Sequence, residues 1–147
     1  MKSCGEKKQQ KEDISQNPTE IKAIKEILNA QKECWNNGDI KGFMEGYWNS
    51  EKLIFTSARH IPTYGWKSTY ERYKNSYPTK ESMGDFNFEI IELELISDKS
   101  ARLKGKWELI RKDDNPNGLF WLNLEKLEEN WLITKDSTIS FDVIIPA

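Results

Sequence analysis

The feature that most restricts this chain is a closing run of four long extended segments. Phe86–Ser97, Ala101–Lys112, Leu119–Leu127 and Trp131–Val143 are rich in apolar residues that suit a pleated surface. Short turn-forming clusters separate them: Asp98-Lys99-Ser100, Asp113–Gly118 with its Asn-Pro-Asn-Gly, and Glu128-Glu129-Asn130. Strands joined by links this short pair as an antiparallel meander. The alternation is explicit in Ala101–Lys112. Ala101, Leu103, Gly105, Trp107, Leu109 and Arg111 share one face, and Arg102, Lys104, Lys106, Glu108 and Lys112 the other, with Ile110 out of phase. Gly105 at mid-strand predicts a bend or bulge.

The first half of the chain has a different period. Thr19 is a predicted N-cap, followed by Ile21, Ile24, Leu28 and Trp35 on one helical stripe, with Gln31 between them. That helix ends at Asn37-Gly38, where glycine suits a left-handed cap. Asp39 caps a second, short helix from Ile40 to about Trp48. Leu53–Ser57 reads as a short strand, and Ala58–Gly65, with Arg59, His60 and Pro62, as a loop. Trp66, Tyr70, Tyr73 and Tyr77 recur at helical spacing until Pro78 stops them, and a loop through Met83-Gly84 follows. Three helices ahead of a long curved sheet define an α+β layout, in which the sheet wraps the helices and leaves a cavity. Residues 1–18 are polar and read as a disordered tail or tether; residues 19–147 form one domain.

Charge and composition remove several classes of function. The net charge is −2 with both signs interspersed, so no basic stripe invites nucleic acid. No apolar run is long enough to make a transmembrane segment. Cys4 and Cys34 form no CxxC pair and His60 is the single histidine, so neither a metal site nor a cofactor is expected. Six Trp, five Tyr and six Phe are many for this length, and such rings line cavities for small apolar or aromatic molecules.

Several stretches resemble one family. Cys34-Trp35-Asn36-Asn37-Gly38-Asp39-Ile40 and Phe43-Met44-Glu45-Gly46-Tyr47-Trp48 are similar to the helix pair of the SnoaL-like, DUF4440-type branch of the NTF2-like superfamily. Tyr64-Gly65-Trp66, Tyr73, Tyr77-Pro78, Met83-Gly84, Phe88 and Trp131-Leu132-Ile133 with Asp136 extend the likeness across residues 21–140. The resemblance implies an NTF2-like cone: three N-terminal helices packed on a curved, mainly antiparallel sheet. It also implies a homodimer paired through the sheet. It leaves the chemistry open, since the superfamily holds isomerases, cyclases, dehydratases and binding modules. One departure matters. Members of the branch often carry Asp-His-Thr-Ser near the C-terminus, and here the stretch is Asp136-Ser137-Thr138-Ile139. A histidine acid or base at that place is excluded.

The candidate catalytic residue is therefore Asp136, a carboxylate base that needs an apolar pocket and a tyrosine donor. Ile133 and Asp136 fall on opposite faces of a regular strand, so the direction of Asp136 stays open. The candidate ligand-binding residues are Trp35, Tyr47, Trp66, Tyr70, Trp107 and Arg111. Tyr73 and Tyr77 carry further hydroxyls, although rings at helical spacing also serve plain core packing. Arg111, sharing a face with Trp107 near a strand end, either meets an anionic ligand at the pocket mouth or snorkels at its rim. His60 is read as exposed or as a mouth residue. Three readings follow. The first, favoured by the aromatic count and the missing histidine, is a pocket protein binding a small apolar or aromatic molecule without a dedicated catalytic centre. The second is a cofactor-free ketosteroid-isomerase-like isomerase or lyase using Asp136 and a pocket tyrosine. The third is a dimeric structural module. Asp136 lining a pocket within reach of a tyrosine hydroxyl raises the second above the first. Leu119 and Trp121 opposite Phe120 and Leu122 put apolar residues on both faces of one strand, which is the residue-level case for a homodimer.

The start of the chain bears on location. Ser3-Cys4-Gly5 followed by Glu6-Lys7-Lys8 resembles the beginning of a mature bacterial lipoprotein, with Cys4 as the lipidation site. Only Met1-Lys2-Ser3 precedes the cysteine, with no apolar region. Either the true start lies upstream and Cys4 anchors the domain at a cell envelope, or the thiol is incidental and the protein cytoplasmic.

Overall fold

A computed structural model describes residues 17–57 and 60–141. Cys4, the polar tail, Arg59 and Val143 lie outside the described residues, as does the side chain of His60. The first helix, α1 (Pro18–Asn36), is capped by Asn17, whose side chain accepts from the Thr19 and Glu20 amides at 2.9 and 3.4 Å. Pro18 fills the first helical position, where its missing N–H costs nothing. The predicted cap Thr19 thus sits inside the helix. Ile24, Leu28, Gln31 and Trp35 form the buried stripe. Gly38 takes the left-handed turn at φ 80°, and Asp39 then accepts the Gly42 amide at 2.8 Å to start α2 (Ile40–Phe43). α2 tightens into a 3-10 turn over Met44–Gly46, and the chain is extended at Tyr47, earlier than the predicted helix end at Trp48.

β1 (Ile54–Ser57) pairs antiparallel with β2 (His60–Tyr64), a strand in the stretch expected to be loop. Pro62 is tolerated because β2 is the edge of the sheet. α3 (Trp66–Ser76) matches the tyrosine period. A single turn, α4 (Lys80–Met83), replaces the expected loop before Gly84 and is closed by a reciprocal Thr79–Ser82 capping box. The meander is β3 (Asp85–Ser97), β4 (Ser100–Ile110), β5 (Asn117–Leu127) and β6 (Asn130–Ser140). The six strands run in the order β2-β1-β6-β5-β4-β3, antiparallel except where β1 lies parallel to β6. Among the described residues no helix is long and apolar enough to cross a membrane.

Curvature comes from bulges. Ile91 and Ile96 are the extra residues of two bulges in β3, and both are left exposed, at 44% and 46%. The first bulge adjoins Ile90, the partner of Gly105. A Cβ at Gly105 would lie 2.5 Å from the Phe120 ring and 2.8 Å from the Glu89 carbonyl, so the glycine makes room for a core ring beside the bend. A third bulge, at Thr134 in β6, positions the site described below.

The β5–β6 turn carries a removable cost. Glu128 and Glu129 both adopt positive φ, 49° and 73°, which side chains with a Cβ resist. Replacing the pair with Asn-Gly is expected to stabilise the protein by about 1 kcal/mol. A higher thermal midpoint would register it; an unchanged midpoint would count against strain in this turn.

Candidate functional site

The site begins with a polar residue in the helical stripe. Gln31 is buried, and its Nε2 donates to the Phe43 carbonyl at 3.2 Å. Gly46 packs so close that a Cβ there would stand 2.8 Å from that nitrogen. This contact holds the 3-10 turn that delivers Tyr47. Tyr47 then bridges in parallel to Ile133, and the Trp48 amide donates to the Ile133 carbonyl at 2.8 Å. The phenol therefore lies against β6.

On β6 the bulge changes the face of every residue beyond it. Leu124 pairs with Ile133 and Asn123 with Lys135, leaving Thr134 unpaired. Ile133 and Asp136 would be on opposite faces of a regular strand, but with one extra residue between them both point inward. Asp136 is only 4% exposed. The Tyr47 hydroxyl donates to its Oδ2 at 2.5 Å and the Thr138 hydroxyl to its Oδ1 at 2.7 Å.

These groups face a cavity of about 470 Å³ between the helices and the sheet. Of the residues singled out in the sequence, Trp35, Tyr47, Trp107, Arg111 and Asp136 line it. Trp35 is fixed by a 3.0 Å bond from Nε1 to the Met83 carbonyl and stands edge-on to Phe43 and Tyr77. Trp107 donates to the Ile139 carbonyl at 3.0 Å. Trp66 and Tyr70 are not part of the lining. Trp66 donates to the Met44 carbonyl at 2.9 Å and packs on Tyr70, on a side of α3 away from the cavity. Tyr73, one turn further along α3, and Tyr77, just past its end, do line the cavity. Arg111 forms a two-bonded pair with Asp114 at 2.7 and 2.6 Å and also donates to the Ser82 carbonyl at 2.9 Å. Among the polar lining residues not singled out in the sequence are Thr138 and Arg72. Thr138 was legible as the residue two beyond Asp136 on the same strand face. Arg72 gave no signal, because a charged residue beside an aromatic helical stripe reads as solvated.

The electrostatics follow from burial. Desolvation pushes the Asp136 carboxyl up to about 6, with the Tyr47 and Thr138 hydrogen bonds pulling the other way. Burial, and then the negative charge of Asp136, raises Tyr47 well above an ordinary phenol. The same two causes raise Tyr73. Tyr77 is raised by burial and pulled back by the positive charges of Arg111 and Arg72. Every buried side-chain nitrogen and oxygen among the described residues has a partner. Among those residues no three His, Cys, Asp or Glu side chains converge to hold a metal ion.

Helices packed against a bulged six-stranded sheet, closed over one cavity with a buried acid, define an α+β cone. No family model matches the sequence, and no curated protein does. Solved structures do. An NTF2-like protein of unknown function from Shewanella oneidensis MR-1 is similar at 39% identity and TM-score 0.78, over 81% of this chain and 98% of that one. The chain belongs to the NTF2-like family. A ketosteroid isomerase-like protein from Erwinia carotovora atroseptica SCRI1043 shares the fold at 18% identity and TM-score 0.70, over 88% and 99% of the two chains. So does a domain of unknown function with a cystatin-like fold from Nostoc punctiforme PCC 73102, at 16% identity and TM-score 0.71, over 83% and 77%.

Proposed function

We propose that this protein is a cofactor-free acid–base catalyst, an isomerase or lyase that moves a proton at a carbon next to a carbonyl in a small apolar or aromatic substrate. The observation that carries the reading is Asp136, buried at the cavity wall and held 2.5 Å from the Tyr47 hydroxyl. A carboxylate with its pKa near 6 is mostly ionised at neutral pH, yet basic enough to take a carbon-bound proton. In the step, the C–H bond breaks, the proton goes to Asp136, and the electron pair moves onto the carbonyl oxygen. Tyr47 is committed to Asp136, so Tyr73, the phenol beside it, is assigned as donor to the developing enolate oxygen. Return of the proton at another carbon completes an isomerisation; loss of a β-leaving group completes a lyase reaction. The ketosteroid isomerase-like neighbour supports this class.

The test is deuterium uptake at the α-carbon of small cyclic and aryl ketones, followed by NMR in D2O, beside binding measured by tryptophan fluorescence. Expected is exchange faster than in buffer, rising with pH and levelling above about 6 as Asp136 ionises. Ketones that bind without faster exchange would overturn the catalytic reading. A second reading, binding without turnover, draws on the same geometry: both Asp136 oxygens already accept a hydroxyl. A small molecule co-purifying unchanged in native mass spectrometry would favour it. The half-exposed Trp121 and its neighbour Leu119, on the outer side of β5, support homodimerisation through the sheet; light scattering of a monomer near 17 kDa at micromolar concentration would reject that.

A further inference from the structure

The cavity contains a second polar locus, built around Arg72 on α3. Its guanidinium lies 4.8 Å over the centre of the Phe55 ring. Its Nη1 donates to Thr63 Oγ1 at 2.9 Å and its Nη2 to Ser57 Oγ at 3.4 Å. All three neighbours are uncharged, and among the described residues no carboxylate lies within ion-pairing distance of Arg72. Arginine presents five N–H donors, and these two bonds leave several for a ligand. The other arginine of the cavity, Arg111, is already neutralised by Asp114. Arg72 also borders an open surface groove with Thr63, Lys67 and Glu71; on its cavity side the wall is largely apolar, and an anion bound there gains more than it would in water.

The sheet register fixes how far this locus stands from the acid. In the parallel β1–β6 ladder Phe55 pairs with Asp136 and Ser57 with Thr138. All four residues line the cavity. Ser57, which anchors Arg72, is thus two residues along the strand from the level of Asp136, roughly 7 Å at about 3.3 Å per residue. The phenol of Tyr77 feels the Arg72 charge, consistent with the guanidinium reaching the aromatic lining.

The geometry points to Arg72 as an anion subsite, so that the molecule this cavity takes is an apolar or aromatic carboxylate whose acid group sits on Arg72 while its reactive carbon faces Asp136. This rests on the proposed function for the role of Asp136, but the recognition of charge is a separate claim with its own readout. The test uses two matched probes, 4-phenylbutanoate and its uncharged amide 4-phenylbutanamide, titrated at pH 8 in low salt. Wild-type protein is expected to bind the carboxylate at least 10-fold more tightly than the amide. In R72M, which keeps the apolar stem, the carboxylate is expected to weaken 10- to 100-fold and the amide by less than 3-fold. R72K, which keeps the charge, is expected to retain part of the preference and guards against a folding defect in R72M. Equal binding of both probes by wild type, binding of neither, or equal weakening of both in R72M overturns the subsite. Charge preference is read from Kd and proton transfer from deuterium uptake, so the loss of one leaves the other standing.

Discussion

Asp136→Asn is expected to stabilise the protein at pH 7.5 by about 3 kcal/mol while lowering the exchange rate by about 10²- to 10⁴-fold, two effects of opposite sign from one atom change. The kinetic part follows because an amide takes no proton. The stability part follows from linkage. Folding raises the Asp136 pKa from an ordinary carboxyl value near 4 to about 6 because burial disfavours its charge. The folded state therefore binds the proton more tightly than the unfolded chain. The stabilisation is complete below pH 4 and is lost as pH rises through 6. Above pH 7 the wild-type protein holds a buried anion, which the variant does not carry. The amide keeps an acceptor oxygen for the Tyr47 hydroxyl and offers its NH2 to Thr138 Oγ. Denaturant titrations of both proteins from pH 3.5 to 8 would show the curves converging at the acid end, separating between about pH 4 and 6, and holding a constant gap above that. Curves that stay parallel throughout would refute the burial-driven shift, and an unchanged exchange rate would remove Asp136 as the base.

The second large effect is expected at Gly118→Ala, a loss of about 3 kcal/mol. A Cβ at Gly118 would fall 1.9 Å from the Ile139 carbonyl oxygen across the β5–β6 ladder. That oxygen is main chain, so no rotamer change relieves the overlap, and the strands must part. The same oxygen accepts Trp107 Nε1, so the cavity wall loosens with the ladder. A lowered urea midpoint and a red-shifted tryptophan emission would register both consequences. Gly105→Ala is milder only in degree: its added Cβ would meet the Phe120 ring at 2.5 Å and the Glu89 main-chain carbonyl at 2.8 Å, against 1.9 Å at Gly118. A Gly118→Ala protein as stable as wild type would mean the ladder at this end is looser than its register implies.

The periods of the chain made most of this architecture legible before any coordinates. The β3–β6 meander follows from turn clusters that end each extended run, and α1 from a stripe whose single polar member, Gln31, has a carbonyl to bind. β2 was hidden because a five-residue strand containing Pro62 has almost no alternation to display. α4 was hidden because one turn is too short to establish a period. In the site, Asp136 and the tyrosines were visible as residue types, but the direction of the acid was not. Direction depends on pairing register, and register depends on a partner strand that local sequence does not contain. Arg72 was lost for a related reason. Its meaning comes from Ser57 and Phe55 on another element, and its own neighbours on α3 say only that the helix surface is polar there.

The bulge at Thr134 separates the identity of the acid from its address. An aspartate can be inherited at the same place in an alignment and still be inert, if the chain lacks the one extra residue that turns it inward. Within this fold, chemistry can thus be gained or silenced by inserting or deleting a single amino acid about 7 Å of strand away, with every functional side chain left unaltered. Relatives sorted by their length between the residues aligned with Ile133 and Asp136, rather than by their residue types, would fall into those with an acid in the cavity and those that wear it on the outside.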